Sequence, residues 1–205
     1  MTESSRYGTS KRASSEPIGY PMLRMNNVTL DGKLDLADLK YVQLDEREFA
    51  KLRLHPGDIV VNRTNSKELV GKCAVFHLRD ADYVFASYLI RFRLNGSKAD
   101  SDYVVYYLSS PLGREQIDAR SHGATNQFNI NAGELRSIPI PLPPLDEQRR
   151  IVEYLDAVQA KVEAIRRYQA ETQQEIEAMT GAVLERAFRG SCNLRNSLGK
   201  LYIAK

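Results

Sequence analysis

Cysteine is nearly absent. Cys73 and Cys192 are the two in 205 residues, too few for a disulfide scaffold or a multi-thiolate metal site within one chain. Histidine is scarce too: His55, His77 and His122 stand in no spacing suited to a metal pair. No apolar run approaches the roughly 18–20 residues that cross a membrane. The opening MTESSRYGTSKR has no apolar core of the kind an export signal carries. A cytoplasmic address with no membrane contact is therefore expected. A dominant charge is also missing, since 29 basic and 26 acidic residues leave a net +3. Residues 1–145 hold 19 basic and 17 acidic groups, 146–189 hold 7 and 9, and 190–205 hold 3 and none. Binding to nucleic acid would have to rest on local charge rather than on a global field.

Catalytic signatures are missing in turn. Ser66-Lys67-Glu68-Leu69-Val70-Gly71-Lys72-Cys73 imitates the end of a phosphate loop, but Ser66 stands where a Walker A needs Gly, and Cys73 where it needs Ser or Thr. There is no Gly-x-Ser-x-Gly elbow. Pro143-Pro144 lacks the preceding Asn or Asp and the following aromatic of an amino-methyltransferase site. Cys73, in an expected strand, reads as a buried inert thiol. No catalytic residue, metal site or cofactor site is expected in this chain.

What is present falls into two parts. Hydrophobic residues at 42% and charged residues at 27% suit a globular fold. Up to residue 145 the pattern is mixed. Gly57-Asp58 reads as a turn entering a strand at Ile59-Val60-Val61, and further strands are expected over residues 71–76 and 83–94. Helices are expected from Asp102 to Leu108 and Leu112 to Arg120, broken near Ser109-Ser110-Pro111, with a short one from Asp45 to Leu52. This is an α+β domain with its own core. The run from Ile138 to Leu145 has four prolines in six positions, which excludes helix and predicts an extended strap on the domain surface.

After the strap, Asp146 reads as a helix N-cap, and no proline occurs from there to Arg189. One heptad register holds throughout. Leu155, Val162, Gln169, Ile176 and Val183 take position a; Ile151, Val158, Ile165, Thr172 and Met179 take position d. That period is a coiled-coil seam. The 44 residues span about 66 Å as helix, too long to bury the seam against the preceding domain, so a second long helix is required. Gln169 and Thr172 are the polar seam positions and lie near its middle. An antiparallel twofold pair lets them satisfy one another, whereas a slipped register buries them against aliphatics. A local packing compromise without a role in register fits the same residues.

Three polar segments stand out in the first part: Thr9, Ser10, Lys11 and Arg12; Arg63, Thr64, Asn65 and Lys67; and Thr125, Asn126 and Gln127. Hydroxyl, amide, ammonium and guanidinium groups are the donors that reach phosphates and base edges. Solvated turns use the same residue types for backbone reasons.

The stretch from Gly123-Ala124-Thr125 through Leu135-Arg136-Ser137-Ile138 to Pro143-Pro144-Leu145-Asp146-Glu147-Gln148-Arg149-Arg150 resembles the specificity subunit of type I restriction–modification systems. There a target-recognition domain runs into a spacer helix. Tyr7-Gly8-Thr9-Ser10-Lys11, Gly57-Asp58-Ile59-Val60, Val70-Gly71-Lys72 and the close at Leu184-Glu185-Arg186-Ala187-Phe188-Arg189-Gly190 extend the resemblance over residues 6–190. It differs from the family in length. A complete subunit carries two recognition domains and two spacer helices, and here there is one of each, a half-length form.

The resemblance implies a target-recognition domain over 1–145, a spacer and dimerisation helix over 146–190, and a tail of unknown role over 191–205. It implies binding to double-stranded DNA through the three polar segments and self-pairing as an antiparallel homodimer that reads a bipartite inverted repeat. It further implies docking of DNA-adenine methyltransferase subunits, with restriction and translocase subunits joining. S-adenosylmethionine, ATP and Mg would sit on those partners. Two other readings fit the residues: the recognition subunit of another restriction–modification type, and a coiled-coil scaffold that does not bind DNA.

Overall fold

A computed structural model describes residues 1–124 and 127–189. Thr125, Asn126 and residues 190–205, with Cys192 and the whole expected tail, lie outside the described residues. The chain divides into two units, the first Met1–Glu153 and the second starting at Tyr154. The first contains β1 (Thr2–Tyr7), β2 (Tyr20–Leu23), β3 (Lys40–Val42), α1 (Glu46–Leu52), β4 (Ile59–Asn62), β5 (Thr64–Asn65) and β6 (Cys73–Val75). There follow β7 (Val84–Phe85), β8 (Leu89–Leu94), α2 (Ser101–Ser109), α3 (Pro111–Asp118), β9 (His122–Ala124), β10 (Gln127–Asn129) and α4 (Ala132–Arg136). The long helix α5 runs Leu145–Phe188.

The central sheet has the order β1-β8-β4-β6 with every neighbouring pair antiparallel. Both of its faces are covered. Ile59, Val61, Val75, Ile90 and Phe92 pack with Val104, Val105 and Leu108 of α2 and Ile117 of α3. On the other face Val60, Ala74 and Leu89 pack with Leu23, Leu54, Phe76 and Phe85. A strand dry on both sides needs no alternation, which is why Ile59-Val60-Val61 is a continuous apolar run. Two three-stranded sheets, β3-β2-β7 and β5-β10-β9, complete the α+β unit.

The expected strand over residues 83–94 is two strands. β7 pairs with β2 and β8 with β1 and β4, and a turn closed by the Leu89 N–H on the Ala86 carbonyl (2.9 Å) carries the chain from one sheet to the other. Helix starts follow side-chain caps. Asp45 and Glu48 form a reciprocal capping box on α1, and Asn131 and Glu134 do the same on α4. Ser110 caps α3 with Pro111 at its first position, which is the physical cause of the break between α2 and α3.

The strap is anchored by two phenols. Tyr107 donates to the Pro139 carbonyl (3.0 Å) and Tyr103 to the Pro141 carbonyl (2.9 Å). Ile138 is buried as part of the core that α2 and α3 cover. The helix begins one residue earlier than expected, so Asp146 is not its N-cap; it lies in the first turn with Glu147, where negative charge favours the helix dipole. The Pro144 carbonyl already accepts from Glu147 and Gln148 (both 3.0 Å), and that places the helix start before Asp146.

Gln148 is fully buried. Its amide donates to the carbonyls of Pro143 (2.8 Å) and Lys98 (3.3 Å) and accepts from the Asp100 N–H (2.9 Å). One side chain thus ties the strap, the entry to α2 and the first turn of α5 into the first unit. Gln148→Leu keeps the volume but orphans the Asp100 donor and the Pro143 acceptor. It is expected to cost about 1–3 kcal/mol, read as a lowered denaturant midpoint of the full chain.

Candidate nucleic-acid interface

The antiparallel order puts the C-terminal ends of β1 and β4 and the N-terminal ends of β8 and β6 at the same end of the central sheet. The registers Tyr7 with Ile90, Asn62 with Leu89 and Val61 with Cys73 fix this. Tyr7 and the segment after it, Arg63 just past β4, and Tyr88 just before β8 therefore converge, although some eighty residues separate the first from the last.

The first polar segment leaves β1 beneath a neighbouring backbone. Gly8 donates to the Leu89 carbonyl (3.3 Å), Thr9 to the Phe85 carbonyl (3.0 Å), and Ser87 to the Thr9 carbonyl (2.8 Å). A Cβ on Gly8 would lie 2.2 Å from the Phe85 oxygen, so only glycine permits this approach. Ser10, Lys11 and Arg12 are exposed and Thr9 half-buried. Thr9, Ser10 and Lys11 line a groove of about 250 Å³ with Met25, Asn26 and Tyr88. Lys11 pairs with Glu48 of α1, and Arg24, deeper in the groove, pairs with Asp38 at 2.7 Å. That guanidinium holds the Asp38 carboxyl below the usual carboxylate range.

Thr64 and Asn65 of the second segment and Gln127 of the third, expected in loops, lie in strands of one sheet. Thr64 and Asn65 in β5 pair with Asn129 and Phe128 of β10, and β10 pairs with β9 through Gln127 and Ala124. One of these polar side chains bonds across the ladder. The Thr64 hydroxyl donates to Asn129 Oδ1 (2.6 Å) and is buried, so of the expected contact residues Thr64 has its hydroxyl spent. Gly123 lies against the Gln127 carbonyl, where a Cβ would come within 2.1 Å. Gln127 is exposed; Thr125 and Asn126 lie outside the described residues. His122 meets Glu134 at 3.1 Å beside this hairpin.

Arg63 sits between these segments. Its guanidinium lies over the Tyr7 ring at 5.0 Å, its N–H donates to the Tyr88 carbonyl (2.9 Å), and its carbonyl accepts from Ile130 (2.9 Å). Asn65 approaches Met25 Sδ at 3.8 Å, which joins the second segment to the groove of the first. The turn after Asn65 is held from behind by Arg114 of α3, which donates to the Val70 carbonyl (2.6 Å). The Glu68 backbone N–H and the Ser66 hydroxyl hold Glu68's carboxyl below its usual range. Among the described residues Arg12, Arg63 and Lys67 carry no salt bridge, unlike Lys11. Sequence reasoning missed Tyr7 and Tyr88 as part of this surface. Both are close to half exposed, at 43% and 49%, and their only signal was adjacency to the glycine segment and to β8.

No group of three or more metal-ligating side chains occurs among the described residues. Burial pushes the Cys73 thiol up to about 12, which leaves it protonated and unreactive. No helix among the described residues is long and apolar enough to cross a membrane.

This α+β unit with a surface of polar strand ends is followed by a helix of 44 residues, an architecture shared with known proteins. The family described as type I restriction modification DNA specificity domain matches residues 4–177, and the chain belongs to that family. It is 32% identical over 151 residues to a specificity subunit assigned to the MjaX type I restriction enzyme of Methanocaldococcus jannaschii, covering 73% of this chain and 35% of that one. It is 28% identical over 187 residues to the EcoKI type I specificity subunit of Escherichia coli, covering 90% and 40%. A solved chain from a study of complex assembly and conformational transition in the type I R-M system superposes with a TM-score of 0.66 at 27% identity, covering 91% of this chain and 43% of that one. The chain thus spans 35% and 40% of the lengths of these two curated relatives.

Gly8→Ala forces a methyl into the Phe85 carbonyl. The expected outcome is a loss of about 1–3 kcal/mol of stability, measured by chemical denaturation, with faster hydrogen exchange at Thr9 and Ser87.

Proposed function

We propose that this chain is a DNA-sequence-recognition module of a type I restriction–modification system that works as an antiparallel homodimer. Residues 1–145 form the recognition domain and 146–190 the spacer and dimerisation helix, whose first turns through Glu153 pack with the recognition unit. Each recognition domain reads one short half-site. Because the two chains are identical, the full target is an inverted repeat around an unread spacer. The chain itself supplies recognition and no catalysis. DNA-adenine methyltransferase subunits carrying S-adenosylmethionine bind the helix pair, and ATP-driven restriction subunits join them.

The observation that carries dimerisation is the exposure of the seam. Val158, Val162, Ile165, Ile176, Met179 and Val183 are 39%, 40%, 56%, 52%, 68% and 63% exposed in the single chain. Ile151 differs, since it packs against the core of the first unit. Leu155 is half-buried, so the open seam runs from Val158 to Val183. One antiparallel register closes this seam completely. It sets Gln169 against the partner's Thr172, Ile165 against the partner's Ile176, Val162 against the partner's Met179 and Val158 against the partner's Val183. The two polar positions then meet at the twofold axis, and every aliphatic meets an aliphatic.

DNA contact is supported by the convergence of Thr9, Ser10, Arg12, Arg63, Asn65 and Lys67 at one end of the sheet, with Lys11 available on release from Glu48. Thr125, Asn126 and Gln127 belong to the same proposed surface. A coiled-coil scaffold without DNA binding is separated from this reading by the salt dependence of duplex binding, which falls steeply as counterions compete.

Light scattering of the full chain at micromolar concentration should give twice the 23.2 kDa chain mass, and Ile165→Glu should give a monomer that retains its folded recognition unit. A wild-type chain that stays single overturns the dimer. Mapping methylated adenines in cells that carry this chain with its methyltransferase gives the target. On that duplex Arg63→Ala should weaken specific binding by about 1–3 kcal/mol and leave binding to random DNA nearly unchanged; an equal loss on both makes Arg63 a phosphate contact.

A further inference from the structure

We infer that Tyr7 is a positioning residue that holds the Arg63 guanidinium in one plane for a guanine edge, an inference that rests on the assignment of Arg63 to base reading. An arginine side chain has several free rotors, and a base contact must pay to freeze them. Here both ends are already fixed. The Arg63 backbone is bonded on one side to the Tyr88 carbonyl and on the other to the Ile130 N–H. Its guanidinium lies 5.0 Å from the Tyr7 ring centre.

The ring is itself immobilised. Tyr7 closes β1 against Ile90, and its phenol oxygen accepts the Ala132 N–H at 3.2 Å. Arg63 Nε is buried without an acceptor, and the side chain makes no hydrogen bond or ion pair with protein among the described residues. A planar fork, stacked on an aromatic face with its terminal nitrogens unspent, matches the two coplanar acceptors O6 and N7 of guanine. A phosphate needs no such plane. Loss of the stack therefore removes discrimination more than it removes affinity.

The test uses the full chain, the methylation-mapped duplex, the same duplex with the recognised guanine replaced by adenine, and a random duplex. Tyr7→Phe keeps the ring and should hold discrimination within about threefold of wild type, whereas Tyr7→Leu should lower it about 3- to 30-fold with random-duplex binding unchanged. In the Arg63→Ala background Tyr7→Leu should have no further effect on discrimination. Additive losses, or a Tyr7→Leu chain that discriminates like wild type, overturn the inference. If Arg63→Ala itself leaves discrimination intact, the base-reading assignment fails first. A measurement without substitution guards against misfolding of the Leu variant. The NMR order parameter of Arg63 Nε in the free chain should exceed that of the exposed Arg12, and equality of the two overturns the stack as a positioning device.

Discussion

The inner part of the central sheet, β4, β6 and the first four residues of β8, is dry on both faces, and most of the first unit follows from that constraint. One face is roofed by α2 and α3, the other by the chain that carries Leu23, Leu54 and Phe85. With both faces occupied, the ends of the strands are where polar side chains can reach solvent without leaving the rigid sheet. The antiparallel order gathers Tyr7, Arg63 and Tyr88 at one of those ends. Of the residues proposed to contact DNA, Asn65 and Gln127 lie on strands and Arg63 one residue past β4, while Thr9 to Arg12 and Lys67 follow strand ends, and short tethers to a rigid sheet suit contacts that must hold their geometry.

Burial of this extent leaves polar atoms that have to be matched, and the matches explain residues that would otherwise look arbitrary. Asp58 is 1% exposed at the start of β4. It accepts two 2.7 Å bonds from Arg93 and one from the His55 N–H at 2.8 Å, and this pairing holds the Arg93 pKa above its ordinary value. Gln148 plays the same part at the other end of the unit. The proline strap cannot satisfy its own carbonyls by helix or sheet, because prolines supply no N–H, so Tyr103, Tyr107 and Gln148 donate to it from outside.

The second unit obeys a different rule. Helix α5 satisfies its backbone internally but leaves a line of aliphatic side chains in water, and Gln169 and Thr172 interrupt that line near its middle. An exposed seam of this length is unfavourable in a lone chain. In the proposed antiparallel pair the two polar side chains meet each other at the twofold axis, whereas a slipped register would set them against aliphatics.

The pattern along the chain was enough for the proline strap, the long helix with its heptad pattern, α1 to α3, and the strands at Ile59 and Cys73. All of these rest on local chemistry: missing N–H groups, helix-forming residue types, and apolar periodicity read within a dozen residues. It was not enough for β1, whose residues are mostly exposed and polar, or for β2 and β3, which at four and three residues are too short to show a period. Nor did it show that residues 83–94 change sheets, or that the segments around Thr64 and Gln127 are strands of one ladder. Those features depend on partners far away in sequence: β8 for β1, β10 for β5, and the Tyr7 ring for Arg63. Only the folded chain decided them, because a hydrogen-bond ladder or a ring-on-guanidinium stack exists only when both halves are in place.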